Sequence, residues 1–116
     1  GSLQPKPAYF AVRDAIAARA LPFADQATGL LATWNASAEA GTLVASVPGP
    51  IGRRELQRGK RGLNRARRRL LRSRFVLACT KLGITADVVG SAGGSAASDL
   101  RARVATLRDD LRCDEP

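Results

Sequence analysis

Leu56, Leu63, Leu70 and Leu77 recur every seven residues, and three places after each stands a small or short residue: Gly59, Ala66, Ser73 and Thr80. This period predicts one long helix through Ile51–Leu82 with a narrow apolar seam. A seam that alternates Leu with small side chains admits a second helix backbone at close range, either within the subunit or across a two-fold axis. Gly59 and Gly62 are its weak points, since glycine inside a helix costs about 1 kcal/mol relative to alanine.

The same stretch holds ten arginines, Lys60 and Lys81 against a single acid, Glu55. The segments on either side are neutral or slightly acidic, so the chain's net charge of +9 belongs to this stretch alone. Arg54, Arg58, Arg61, Arg65, Arg68 and Arg72 step by four and three, which predicts one straight stripe opposite the seam, about 27 Å long. Arg53, Lys60, Arg67, Arg74 and Lys81 are expected to form a second stripe on one flank, with Gln57 and Asn64 on the same side as hydrogen-bonding groups. Like charges at helical spacing repel, so this face is costly in isolation and calls for a polyanionic ligand. The candidate nucleic-acid-binding set is Arg53, Arg54, Arg58, Lys60, Arg61, Asn64, Arg65, Arg67, Arg68, Arg72 and Arg74.

At 116 residues the chain reads as one domain, rich in Ala, Leu and Val, as suits helices. Residues 1–7 form a lead-in, residues 8–113 the domain, and residues 114–116 a frayed tail. Ala8–Ala20 is expected as a first helix, with Tyr9, Val12, Ile16 and Ala20 on one face, ended by Leu21-Pro22. Phe23–Ala40 is expected as a second, with Phe23, Ala27, Leu30, Leu31, Trp34 and Ala38 inward and Gly41 as its stop. Trp34 lies within that apolar face, which favours a core role over base stacking. Gly41–Pro50 reads as an extended connection packed partly on the helices.

After Ile51, the apolar residues Leu71, Phe75, Val76, Leu77, Ala78 and Leu82 are expected to wedge the end of the basic helix into the core, and Lys81-Leu82-Gly83-Ile84 to stop it. Thr85 would cap a short turn over residues 86–89, and Gly90–Ala97 reads as a flexible linker. Ser98 looks like the N-cap of a last helix whose Leu100, Val104, Leu107 and Leu111 form a two-heptad stripe.

Several function classes are excluded or weakened. There is no histidine, which removes the commonest general base and metal ligand. Cys79 and Cys113, lacking His partners or CxxC spacing, make no zinc site, and their scarcity favours an intracellular, reducing compartment over a disulfide scaffold. No apolar run is long enough to span a bilayer. Gly1-Ser2 reads as a cloning scar, and with no initiator Met the expectation is an excised domain. Asp109-Asp110 is flanked by Arg108 and Arg112 and reads as surface charge. The run Gly90–Ser95 lacks the GK[ST] ending of a phosphate loop. With no catalytic constellation, the expectation is a non-enzyme with no cofactor and no metal.

Gly59-Lys60-Arg61-Gly62 is similar to the GxxG loop of KH domains, which clamps a nucleic-acid backbone. That resemblance implies an α+β alternative with strands near Thr42–Val47, Phe75–Cys79 and Ile84–Val89. The unbroken Leu seam across the loop argues against it. Asn64–Arg69 superficially resembles a basic-zipper contact region, but its register is wrong and Gly83 leaves no room for a zipper.

The reading is a small all-α domain of about four helices with one long arginine-rich helix, forming a homodimer. It is expected to bind nucleic acid through the backbone with little sequence preference. Duplex RNA is favoured over DNA, because a rigid arginine row with interspersed Asn and Gln suits phosphates and 2′-hydroxyls. Sequestering or packaging RNA, as viral silencing suppressors or nucleoproteins do, is compatible by analogy. The alternative is a protein-interaction module that docks its basic helix on an acidic partner; a membrane surface is disfavoured by the narrow seam.

Overall fold

The structure, a computed structural model, describes the backbone of residues 6–114 and the side chains of residues 21–114. It is all-α: α1 (Lys6–Ala40), α2 (Gly49–Leu71), α3 (Phe75–Ser91) and α4 (Ala97–Asp110). Among the described residues there is no strand, only an isolated antiparallel bridge between Val44 and Gly93. The KH-like alternative is thereby overturned, and Gly59–Gly62 lies inside α2. Helix α1 packs on α2 and α4, and α3 packs on the same two, so the four close a ring about one core.

Among the described residues the helices number four, as expected, but they are not the expected four. The break at Leu21-Pro22 does not occur, and α1 runs through Pro22. A proline removes one backbone hydrogen bond, and here that loss falls where Leu21 and Pro22 are both exposed. From there on Ala24, Ala27, Leu30 and Trp34 bury one continuous stripe. Ala38, expected inward, is exposed, and Ser37 takes the buried place. The expected face Tyr9, Val12, Ile16 and Ala20 lies outside the described side chains.

The long basic helix, in contrast, is cut in two. Helix α2 ends at Leu71 and α3 begins at Phe75. The stop is a six-residue cap: Arg74 N donates to the Arg69 carbonyl at 2.8 Å and Ser73 N to the Leu70 carbonyl at 3.0 Å, with Ser73 left-handed at φ 57°. The reversal folds α3 back along α2. The Leu seam therefore holds only to Leu70; Leu77 and Thr80 are exposed. The expected wedge is also corrected, because Leu71, Val76 and Leu77 face solvent, while Ala78 and Leu82 are buried.

Helix α3 ignores the expected stop at Gly83. Ala78, Leu82, Thr85 and Val89 step by four, three and four along its buried side, and that stripe outweighs the glycine. Thr85 is therefore a mid-helix core residue rather than a cap. Nor is Gly90–Ala97 a flexible linker. Val44 and Gly93 exchange backbone hydrogen bonds at 2.9 and 2.7 Å, and Ala96 N donates to the Thr42 carbonyl at 2.9 Å. Arg101 adds its guanidinium to the Val89 and Ala92 carbonyls at the end of α3. Helix α4 starts from Ala96 rather than Ser98, and its stripe Leu100, Val104 and Leu107 closes the core as expected.

Cys79 and Cys113 form a disulfide between α3 and the segment after α4, with Cα atoms 5.3 Å apart. The pairing departs from the free thiols that a reducing compartment would favour. Phe23 of α1 and Phe75 of α3, far apart in sequence, meet edge to face with their centroids 6.3 Å apart. Among the described residues no helix is long and apolar enough to cross a membrane.

Candidate nucleic-acid interface

The seam determines which way the arginines of α2 point. Gly59, Leu63, Ala66 and Leu70 are buried against the neighbouring helices. Gly59 lies under Trp34, where an added Cβ would stand 2.7 Å from the indole ring. Gly62 lies under α3, where a Cβ would meet the Lys81 carbonyl and Thr85 Oγ1 at 2.9 Å each. The two glycines that look like weak points are thus the points of closest helix approach. Trp34 is fully packed in the core, which removes it as a stacking platform.

With that side covered, Arg54, Arg58, Arg61, Arg65, Arg68 and Arg72 are all exposed. The one acid of α2, Glu55, is half-buried and accepts a hydrogen bond from Ser46 Oγ at 3.3 Å. Among the described residues the two ion pairs are Arg103–Asp99 and Arg108–Asp114, so none neutralises a cation of α2.

The second stripe is not assembled as expected. Arg53 and Lys60 are exposed, and Lys60 lines a groove of about 400 Å³ on the α1 side with Trp34, Glu39, Leu56 and Gln57. Arg67 is half-buried; its Nη2 donates to Asn64 Oδ1 at 3.2 Å, and its buried Nε has no partner. Arg74 and Lys81 fall beyond the break and leave that flank. Arg74 is exposed in the turn. Lys81 comes round to the opposite edge of α2, where it lines a groove of about 250 Å³ with Arg58, Arg61, Gly62, Arg65 and Ile84. A further groove of about 220 Å³ is lined by Arg65, Arg68, Arg69 and Arg72.

Two cations outside the candidate set, Arg69 and Lys81, therefore belong to this surface. Arg69 falls in neither predicted stripe; Lys81 is displaced by a turn that no residue type announced. What results is a basic ridge with shallow concavities along its α3 edge. Such a surface can hold phosphates through charge-assisted hydrogen bonds. Among the described residues no group of three or more His, Cys, Asp or Glu is placed to hold a metal. Comparison with known protein families, with characterised proteins and with solved structures finds no match to this chain.

Proposed function

We propose that this chain is a non-enzymatic nucleic-acid-binding domain that grips the phosphate–sugar backbone through α2, with duplex RNA as its preferred ligand. The observation that carries the reading is the exposed, acid-free row from Arg54 to Arg72. It is a rigid track of about 27 Å set by helix geometry, and it reads charge and shape rather than base edges. Guanidinium forks suit paired phosphate oxygens better than ammonium groups do. A homodimer would double the track. Because the Leu/small seam is filled within the subunit, the two copies would meet elsewhere. Sequestration or packaging of RNA is the role this chemistry serves most directly. An intracellular site of action goes with that role; the Cys79–Cys113 bond stands against it, and a thiol count on protein recovered from cytoplasm decides the point.

The second reading is a protein-interaction module with an acidic partner. It is favoured by Leu71, Val76 and Leu77, which are exposed beside Arg72 and Arg74 at the turn between α2 and α3. Mixed apolar and basic surface is commoner at protein interfaces than on phosphate-binding ones.

Fluorescence anisotropy against labelled 21-mers of duplex RNA, single-stranded RNA, duplex DNA and single-stranded DNA, each at two salt concentrations, separates these readings. Preference for duplex RNA at physiological salt is the expected result. Equal, salt-labile binding to all four reduces the reading to polyanion attraction and turns attention to the acidic partner.

A further inference from the structure

We propose that the groove between α2 and α3 is a phosphate seat in which Lys81 closes on a backbone phosphate held by Arg58, Arg61 and Arg65. This rests on the nucleic-acid reading above and deepens it. An isolated helix presents its cations outward on a convex surface, where each touches a phosphate separately. Here a second helix supplies the opposing wall. The absence of a side chain at Gly62 lets α3 approach until an added Cβ would lie 2.9 Å from the Lys81 carbonyl. That approach brings the Lys81 side chain to the same concavity as three arginines of α2, with Gly62 and Ile84 as the remaining lining.

None of those four cations takes part in an ion pair among the described residues. Four positive groups around one small groove with no acid in its lining repel one another, and an anion relieves that repulsion. Lys81 is half-buried while the arginines are exposed. Its stem is therefore already held against protein, and less side-chain freedom is lost when it meets the ligand. The seat selects a phosphodiester oxygen, not a base, so Lys81 should contribute equally to every sequence.

The test measures Kd for a 21-bp RNA duplex as a function of salt for the wild type, Lys81→Gln, Lys81→Arg and Arg103→Gln. Arg103 lies on α4 and is tied to Thr33 and Asp99; its replacement removes the same charge from outside the groove. The seat predicts about a tenfold weakening for Lys81→Gln and a salt slope flatter by about one contact. Lys81→Arg keeps most of the affinity, and Arg103→Gln changes it less than twofold. A second readout uses the unaltered protein: bound duplex should protect Lys81 from lysine acetylation. If the wild type binds while Lys81→Gln matches Arg103→Gln and Lys81 stays reactive, the seat is wrong and the arginine track stands. If the wild type binds none of the four nucleic acids, the underlying reading fails and the seat with it.

Discussion

Thr85 Oγ1 donates a hydrogen bond of 2.8 Å to the Gly59 carbonyl oxygen, buried at the crossing of α2 and α3. One helix donates from a side chain and the other accepts at the backbone, which is possible only because Gly59 and Gly62 let the helices meet so closely. This contact holds the arginine helix against the core and Lys81 beside it. Thr85→Val keeps the shape and removes the donor. We expect a loss of about 1 kcal/mol and a Tm several degrees lower, read by circular dichroism. Gly59→Ala should cost more, about 1–3 kcal/mol, because Trp34 must move to admit the methyl group.

The stripe itself should be separable from stability. Arg61, Arg65, Arg68 and Arg72 are exposed and carry no ion pair among the described residues. Replacing all four with Gln should lower nucleic-acid affinity by orders of magnitude and flatten the salt dependence, while the melting temperature does not fall. Unchanged binding would refute the track.

Ala66 is fully buried where the seam meets its neighbours. Ala66→Leu should destabilise the domain by about 1–3 kcal/mol through overpacking. Sedimentation should show no change in oligomeric state, since the seam contacts lie within one subunit. A shift from dimer to monomer would mean that the seam also serves an interface.

Ser73 holds the turn between α2 and α3 in a left-handed conformation at φ 57°. L-residues other than glycine pay about 1–2 kcal/mol there. Ser73→Gly should therefore raise stability by about 0.5–1 kcal/mol after the added freedom of the unfolded chain is counted. Thermal unfolding of the variant checks this, and a lower Tm would show that the serine side chain contributes more than its backbone costs.

The Cys79–Cys113 bond closes a loop with a sequence separation of 34. Cys79→Ser with Cys113→Ser should lower stability by about 2–4 kcal/mol. The four helices should survive, because the core built on Trp34, Leu63, Leu82 and Leu100 does not include either cysteine. Melting curves with and without a reductant on the unaltered chain should reproduce the same loss.

Three helix ends show what could and could not be read from residue types. At the end of α1, Thr42 N reaches the Ser37 carbonyl and Gly41 N the Ala38 carbonyl; at the end of α2, Arg74 reaches Arg69 and Ser73 reaches Leu70; after α4, Cys113 reaches Arg108 and Arg112 reaches Asp109. These are the same cap three times. At α1 the left-handed residue is Gly41, and the stop was legible. At the other two it is Ser73 and Arg112, which carry no such signal, so the Leu period alone predicts a helix running through Leu77. Conversely, Gly83 announced a stop that α3 does not make.

The sequence by itself determined the helical class, the core stripes Ala27–Leu30–Trp34 and Leu100–Val104–Leu107, and the exposed arginine row from Arg54 to Arg72. Each depends on a local period, and a helix converts a period into a face wherever it forms. Only the tertiary structure decided where the basic helix ends, that Gly59 and Gly62 of α2 are contact points rather than weak points, and that Lys81 joins Arg58, Arg61 and Arg65. Those outcomes depend on burial summed across helices distant in sequence. Packing α3 back along α2 buries Ala78, Leu82, Thr85 and Val89 together, and that gain outweighs both a strained serine at the turn and a glycine within the helix.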